Sequence, residues 1–328
     1  MAASPIADLS YRNYDGPLDP PLYRWWAIAR VAIRDAFRKK SFWVLTVLGG
    51  AWYLILMIIF YFVQSFATTM MANRGRQILD PTEAAATMFK QVKWDEQFLQ
   101  AFSMGQLMFF IIALLIGVGT VANDNRANAL LVYLSKPCTK MDYIVGKWVG
   151  IFVPMAVAVA VPTLFFYSYC FMSYREYGFL DDPWLILKLP ILILIPAAFH
   201  ASVALGISSM FRQGRTAGAA YAGFYFFTLF FTKAMGTVHI ILQQNGSSTK
   251  LIDNLFYFSV DGVQIGLAKV LLHSNGGQIF PFSGPGMNLE KFVVPEPNGL
   301  LMAFGYLVIC GAFVLIASTR IRAVEVVS

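Results

Sequence analysis

The sequence predicts an all-α integral membrane protein with about six transmembrane helices, and three observations carry that expectation. Of the 328 residues, 58% are hydrophobic and only 13% are charged, whereas soluble domains are about half apolar and about a quarter charged. A soluble fold of this length could not cover itself with so few charged side chains, so the bilayer must serve as part of its solvent. Six segments are long and apolar enough for the roughly twenty residues that a helix needs to cross the hydrocarbon core. Aromatic residues, at 16% and led by Phe, suit lipid-facing helices and interfacial belts.

The expected spans are 42–66, 102–122, 148–172, 184–210, 217–235 and 300–319. The first begins just after Lys39, Lys40 and Ser41. Pro154 and Pro162 fall inside the third, and Pro190 and Pro196 inside the fourth. Prolines are tolerated in spans because neighbouring helices re-satisfy the freed backbone groups. Gly146 with Gly150, Gly214 with Gly218 and Gly218 with Ala222 have the small-xxx-small spacing that lets helix backbones approach. Packing is the only role the spacing assigns them.

Orientation follows from the basic residues. With the amino terminus inside, the inner segments hold Arg12, Arg24, Arg30, Arg34, Arg38, Lys39, Lys40, Arg126, Lys136, Lys140, Lys147, Arg212, Arg215, Arg320 and Arg322. Positive charge near span ends marks the cytoplasmic side, so both termini are expected there, in a bacterial inner membrane. Most acids, including Asp95, Asp182, Asp253 and Asp261, then fall outside. The net charge of +7 has this cause, and nucleic-acid binding is not expected. Cys138 falls in an inner loop and Cys170 and Cys310 in spans, so no disulfide framework is expected. Residues 1–21 read as a flexible cytoplasmic amino terminus, without the apolar core and cleavage site of a signal peptide.

Three segments lie outside the spans. Residues 22–40 read as an amphipathic helix: Leu22, Trp25, Trp26, Ala29, Ile33 and Phe37 share one face, with Arg24, Arg30, Arg34 and Arg38 opposite. A basic helix with two tryptophans suits the inner-leaflet interface, with membrane lipid as partner, or a partner protein. Residues 123–147 start polar, pass through an apolar stretch (129–134) and a basic turn, and are broken at Pro137. They predict two short helices joined by a bend, rimmed by charge, and hence a docking surface. Residues 240–298 form a long outer segment. Within it, 251–272 is apolar but interrupted by Asp253, Asp261 and Lys269, and predicts a re-entrant or interfacial helix pair broken near Asp261-Gly262. Residues 41–328 are expected to form one transmembrane domain.

The second of these segments resembles the first cytoplasmic loop of type-2 ATP-binding-cassette (ABC) transporter permeases. The matching positions are Asp124, Arg126, the Ala129-Leu130 step, Leu134-Ser135, Pro137 and Gly146-Lys147. The chain departs at Asn128, where Gly is usual, at Cys138 for Val or Ile, and at Thr139-Lys140 for Ser-Arg. The tail from Ser318 to Val327 is also similar to such permeases. The flavour is that of the permeases accompanying nitrous-oxide-reductase maturation. The resemblance implies that two permeases pair, as a homodimer or with a related permease, and that each docks one ABC ATP-binding subunit. It makes Asp124, Arg126, Leu130, Leu134, Pro137, Lys140, Gly146 and Lys147 an ATPase-coupling loop. Trp25, Trp26, Arg30, Arg34 and Arg38 would belong to a connecting helix. It leans towards export and allows an extracytoplasmic accessory partner.

The residues themselves offer no catalytic chemistry. There is no G-x-x-x-x-G-K-[ST] phosphate-binding loop, so ATP and Mg are expected only in the partner subunit. With no H-E-x-x-H and no C-x-x-C, and with His200, His239 and His273 scattered, neither a metal site nor a cofactor is expected. His200, deep in the fourth span, is either a cavity-facing functional group or a neutral histidine hydrogen-bonded between helices. Lys188 and Lys233, near outer span ends, are expected to snorkel. A non-transporting anchor or assembly subunit of a larger membrane complex is the rival reading.

Overall fold

The computed structural model describes residues 23–73, 89–90, 92–127, 129, 138–274 and 295–321. Among them the chain is helical, without strands. The elements run α1 (Arg24–Arg38), α2 (Lys40–Gly49), α3 (Ala51–Asn73), α4 (Trp94–Ile116), α5 (Gly119–Arg126), α6 (Lys140–Tyr174), α7 (Leu185–Met210), α8 (Gly214–Gln244), α9 (Lys250–Leu255), α10 (Val260–Leu271) and α11 (Gly299–Arg320). Among the described residues five helical stretches are long and apolar enough to span a membrane, and six if the bent pair α2–α3 counts as one. The chain is an all-α, multi-pass integral membrane protein.

The helices start where local chemistry favours it. Thr139 and Asp142 form a reciprocal capping box that opens α6. Asn298 Oδ1 accepts from the Leu300 and Leu301 N–H groups and opens α11. Ser259 Oγ accepts from Gly262 N–H at 2.9 Å and opens α10. The centre of the bundle is α7, flanked by α6, α11, α5 and α8. In its most apolar stretch 83% of residues are buried, against 11% in α8 and in α11. The apolar side chains of the latter two, such as Phe227, Phe230, Phe304 and Leu307, therefore face outwards.

Several boundaries differ from the sequence expectation. The first span, expected over 42–66, is not one straight helix: Lys40–Gly49 and Ala51–Phe66 meet at 47°. Gly50 sits at the bend because the Pro162 ring occupies the space beside it; a Cβ there would lie 2.3 Å from the ring's Cβ. The second span starts eight residues earlier, at Trp94, and is interrupted at Gly117–Val118 before continuing as α5. The third begins at Lys140, so the predicted short turn before it belongs to the same 35-residue helix. The fifth continues to Gln244. Residues 251–272 hold the expected pair of short helices, α9 and α10, but the break is at 256–259. Asp261 and Gly262 lie inside the first turn of α10, because Ser259 is the cap.

The interfacial helix also presents a different face. The side of α1 that packs on the protein carries Ile28, Ala29 and Ala36, all buried. It lies on α6, where Gly146 and Gly150 leave room: a Cβ on Gly150 would come within 2.6 Å of the Ala32 Cβ. Trp25 is half-buried and Trp26 is exposed, their rings edge to face at 5.9 Å. Arg30, Arg34 and Arg38 are exposed. Leu22 lies outside the described residues.

Candidate functional site: the basic end of the bundle

At the end of the bundle that carries Lys39, Arg126, Lys140, Arg215 and Arg320, five elements meet around α5. The meeting is held by polar contacts of long sequence range. Ser208, near the end of α7, is buried and donates to Val118 O at 2.6 Å. Ser208 Oγ in turn accepts from the Val121 and Ala122 N–H groups at 3.0 Å each. One hydroxyl thus satisfies the amides exposed by the interruption at Gly117–Val118. Asn123 Oδ1 accepts from Gly214 N–H, the start of α8, at 3.2 Å. Asn125 donates to Phe211 O at 3.3 Å. Lys39 Nζ reaches Leu115 O at 3.1 Å, joining the end of α1 to the end of α4.

The clasp between α5 and α6 is ionic. Lys147 Nζ lies 2.7 Å from Asp124 Oδ2, and the two side chains are only 11% and 19% exposed. Tyr143 O–H donates to the same carboxylate at 2.8 Å. Lys147 also donates to Thr120 O at 3.1 Å and stands over the Tyr143 ring at 5.5 Å. A carboxylate with two donors, one of them cationic, fixes the angle between two helices more firmly than apolar contact alone. A cleft of about 560 Å³ runs from this clasp along α1, past Asp35 and Lys39 to Cys138.

The structure therefore places the expected coupling residues as follows. Asp124, Gly146 and Lys147 come together, with Gly146 against Trp25 O and Ile28 of α1. Lys140 begins α6 and is half-buried. Arg126 ends α5 and is exposed, but turns towards α8 rather than towards the clasp. Leu130, Leu134 and Pro137 lie outside the described residues. Ser208, Asn123 and Tyr143 hold the site together, and none of the three was among the coupling residues expected from the sequence. Serine and asparagine in a polar-flanked span carry no signal of their own.

His200 lies elsewhere, fully buried in α7. Its Nδ1 is 2.7 Å from the Tyr221 hydroxyl and its Nε2 3.5 Å from Gln264 Nε2. These two partners belong to α8 and α10, so the ring is held between helices. The far end of the bundle holds a second polar cluster. Lys188 does not snorkel freely: it pairs with Asp182 and, at 3.4 Å, with Asp95 of α4. Burial raises the Asp182 pKa, but the Lys188 and Trp184 N–H donors outweigh it and hold the carboxyl below its ordinary value. On α10, burial pushes the Asp261 carboxyl up to about 6, only partly offset by a 2.6 Å hydrogen bond from Tyr225. Burial likewise pushes the Lys269 ammonium down to about 8. Among the described residues no group of three or more His, Cys, Asp or Glu side chains could hold a metal ion.

A bundle of apolar spans, with α5 clamped to α6 by polar contacts and a basic amphipathic helix packed at the same end, defines a membrane-spanning subunit. The family model described as "ABC-2 family transporter protein" matches residues 26–319, and the chain belongs to that family. It is the transmembrane component of an ABC transporter, a membrane subunit in a family that works with an ABC ATP-binding partner. The curated proteins give no match.

Proposed function

We propose that the chain is the permease half of an ATP-driven transporter, probed most directly at its basic end. Two copies, or this chain and a related permease, pair across the membrane, and each docks one ATP-binding subunit. ATP and Mg belong to that subunit. Docking uses the segment from Asp124 to Lys147 together with α1. Closure of the ATP-binding subunits pushes on this surface and switches the pair between inward and outward access as a rigid-body transition, with export the favoured direction.

The observation that supports the reading is the Asp124–Tyr143–Lys147 clasp. A push on the loop reaches α5 and α6 together, and α6 carries α1 on Gly146 and Gly150. Ser208 passes the displacement of α5 to α7 at the centre of the bundle. The exposed arginines Arg34 and Arg38 and the amino-terminal end of α6 at Lys140 form the outer surface. The exposed apolar faces of α8 and α11 are available for a second permease or for lipid.

The test is charge reversal on that surface. Arg34→Glu with Arg38→Glu, and separately Lys140→Glu, leave the buried contacts intact. Each is expected to cut recovery of the ATP-binding subunit during gentle purification, while membrane insertion stays at the wild-type level. Undiminished recovery with all three charges reversed would place docking elsewhere.

A further inference from the structure

Between the interruption at Gly117–Val118 and the start of α8 lies a second cavity, of about 790 Å³, at the basic end of the bundle. Its inner wall is apolar, formed by Leu114 and Leu115 at the end of α4 and by Val118. Its rim is cationic: Arg126, the last residue of α5, and Arg215, in the first turn of α8, with Gln213 beside them. Both arginines are exposed, and among the described residues neither makes an ion pair. The acid nearest to Arg126 in sequence, Asp124, is held by Lys147. Two guanidinium groups therefore share one concavity with no carboxylate among the described residues paired to them.

Two further features favour an anion there. The 31-residue helix α8 begins at the rim, where Asn123 Oδ1 takes the Gly214 N–H and the side chain of the cap residue Gln213 takes none; the positive end of its dipole adds to the arginine field. Guanidinium groups present paired N–H donors that match phosphate oxygens. The apolar wall decides what kind of anion fits. A free inorganic ion gains nothing from Leu114, Leu115 and Val118, whereas an amphiphile uses both surfaces at once. The wall also continues into the apolar length of α4, so a chain attached to the bound phosphate leaves the cavity along a span.

We infer that this cavity is a binding site for the phosphate headgroup of an anionic phospholipid from the adjoining leaflet. Arg126 and Arg215 hold the headgroup, and the start of the acyl region lies on Leu114, Leu115 and Val118. The site is independent of any ATP-binding subunit, so it stands or falls separately from the docking surface proposed above. It also separates Arg126 from Asp124 and Lys147: the first serves the cavity, the other two the clasp.

The test uses the purified full-length chain in detergent, with dioleoyl phosphatidylglycerol and dioleoyl phosphatidylcholine offered in equal amounts. Retained lipid is read by native mass spectrometry. The wild type is expected to retain phosphatidylglycerol about ten-fold over phosphatidylcholine, a ratio equal to about 1.4 kcal/mol. Arg126→Gln with Arg215→Gln is expected to bring that ratio close to one. Arg320→Gln, an exposed arginine outside the cavity, is expected to keep the wild-type ratio. An equal loss in Arg320→Gln would show a general surface field and overturn the site, as would a preference that survives in the double variant. Displacement of the lipid by excess inorganic phosphate alone would overturn the lipid assignment in favour of a small anion.

Discussion

Replacing Lys147 with Met leaves the Asp124 carboxylate between α5 and α6 with Tyr143 as its remaining donor among the described contacts. Breaking one side of a fully buried ion pair costs about 3–5 kcal/mol. Here the side chains are 11% and 19% exposed, so water recovers part of that, and about 2–3 kcal/mol is expected. Asp124→Asn alone leaves the Lys147 ammonium facing a neutral amide and costs about 1.5–2.5 kcal/mol by the same reasoning. The double variant removes both charges and keeps the Tyr143 hydrogen bond, so it should be less destabilised than the sum of the two. The cycle should return a coupling of about 1–2 kcal/mol, within the range for residues in contact. Thermal unfolding in detergent supplies the energies, and hydrogen exchange over 119–126 and 140–147 locates them. Single-variant effects that simply add, with coupling under about 0.5 kcal/mol, would mean that the pair does not join α5 to α6 energetically.

Other outcomes follow from the same geometry. Ser208→Ala leaves two buried N–H groups unsatisfied and should destabilise the chain by about 2–4 kcal/mol, with Ser208→Thr less damaging if the hydroxyl keeps its place; thermal midpoints measure both. Gly150→Leu forces a side chain into Ala32 and should loosen α1 at a cost of about 1–3 kcal/mol, read as faster proteolysis after Arg30 or Arg34. The hairpin α9–α10 should respond to pH in two steps. Because the folded state holds the Asp261 proton up to about pH 6 instead of 3.8, stability falls as pH rises through that window. Because it sheds the Lys269 proton from about pH 8 instead of 10.5, stability rises above pH 8. Hydrogen exchange over 260–271, corrected for its intrinsic pH dependence, should therefore show least protection between these limits. Asp261→Asn should abolish the acid step and Lys269→Met the alkaline one.

The number and kind of helices were legible in the sequence because the bilayer imposes a crude length rule on apolar runs. The bends were not. Gly49-Gly50 sits in an apolar run that reads the same whether straight or kinked, and the bend depends on Pro162, more than a hundred residues away. The ends of the fourth span were legible, but the partners of its polar residue were not: Lys188 reads as a snorkelling side chain until Asp182 and Asp95 are seen beside it. The loop pattern singled out Asp124 and Lys147 as separate matches, but only the fold shows that they are one contact. For α1, the helical period found an apolar face containing Ala29. The face that packs is displaced towards Ile28 and Ala36, because small residues rather than tryptophans fit against Gly146 and Gly150. The break at Ser259 illustrates a cap overruling a glycine, since Gly262 was the more conspicuous breaker in the sequence.

The central claim is that this membrane subunit carries an ATP-binding partner on its basic end. The most direct measurement is the mass and composition of the intact complex, purified gently from its native membrane. The account predicts two permease chains with two subunits that bear a G-x-x-x-x-G-K-[ST] motif, and loss of those subunits on reversing Arg34, Arg38 and Lys140. An intact complex with no such subunit would contradict it and favour a membrane anchor or assembly role.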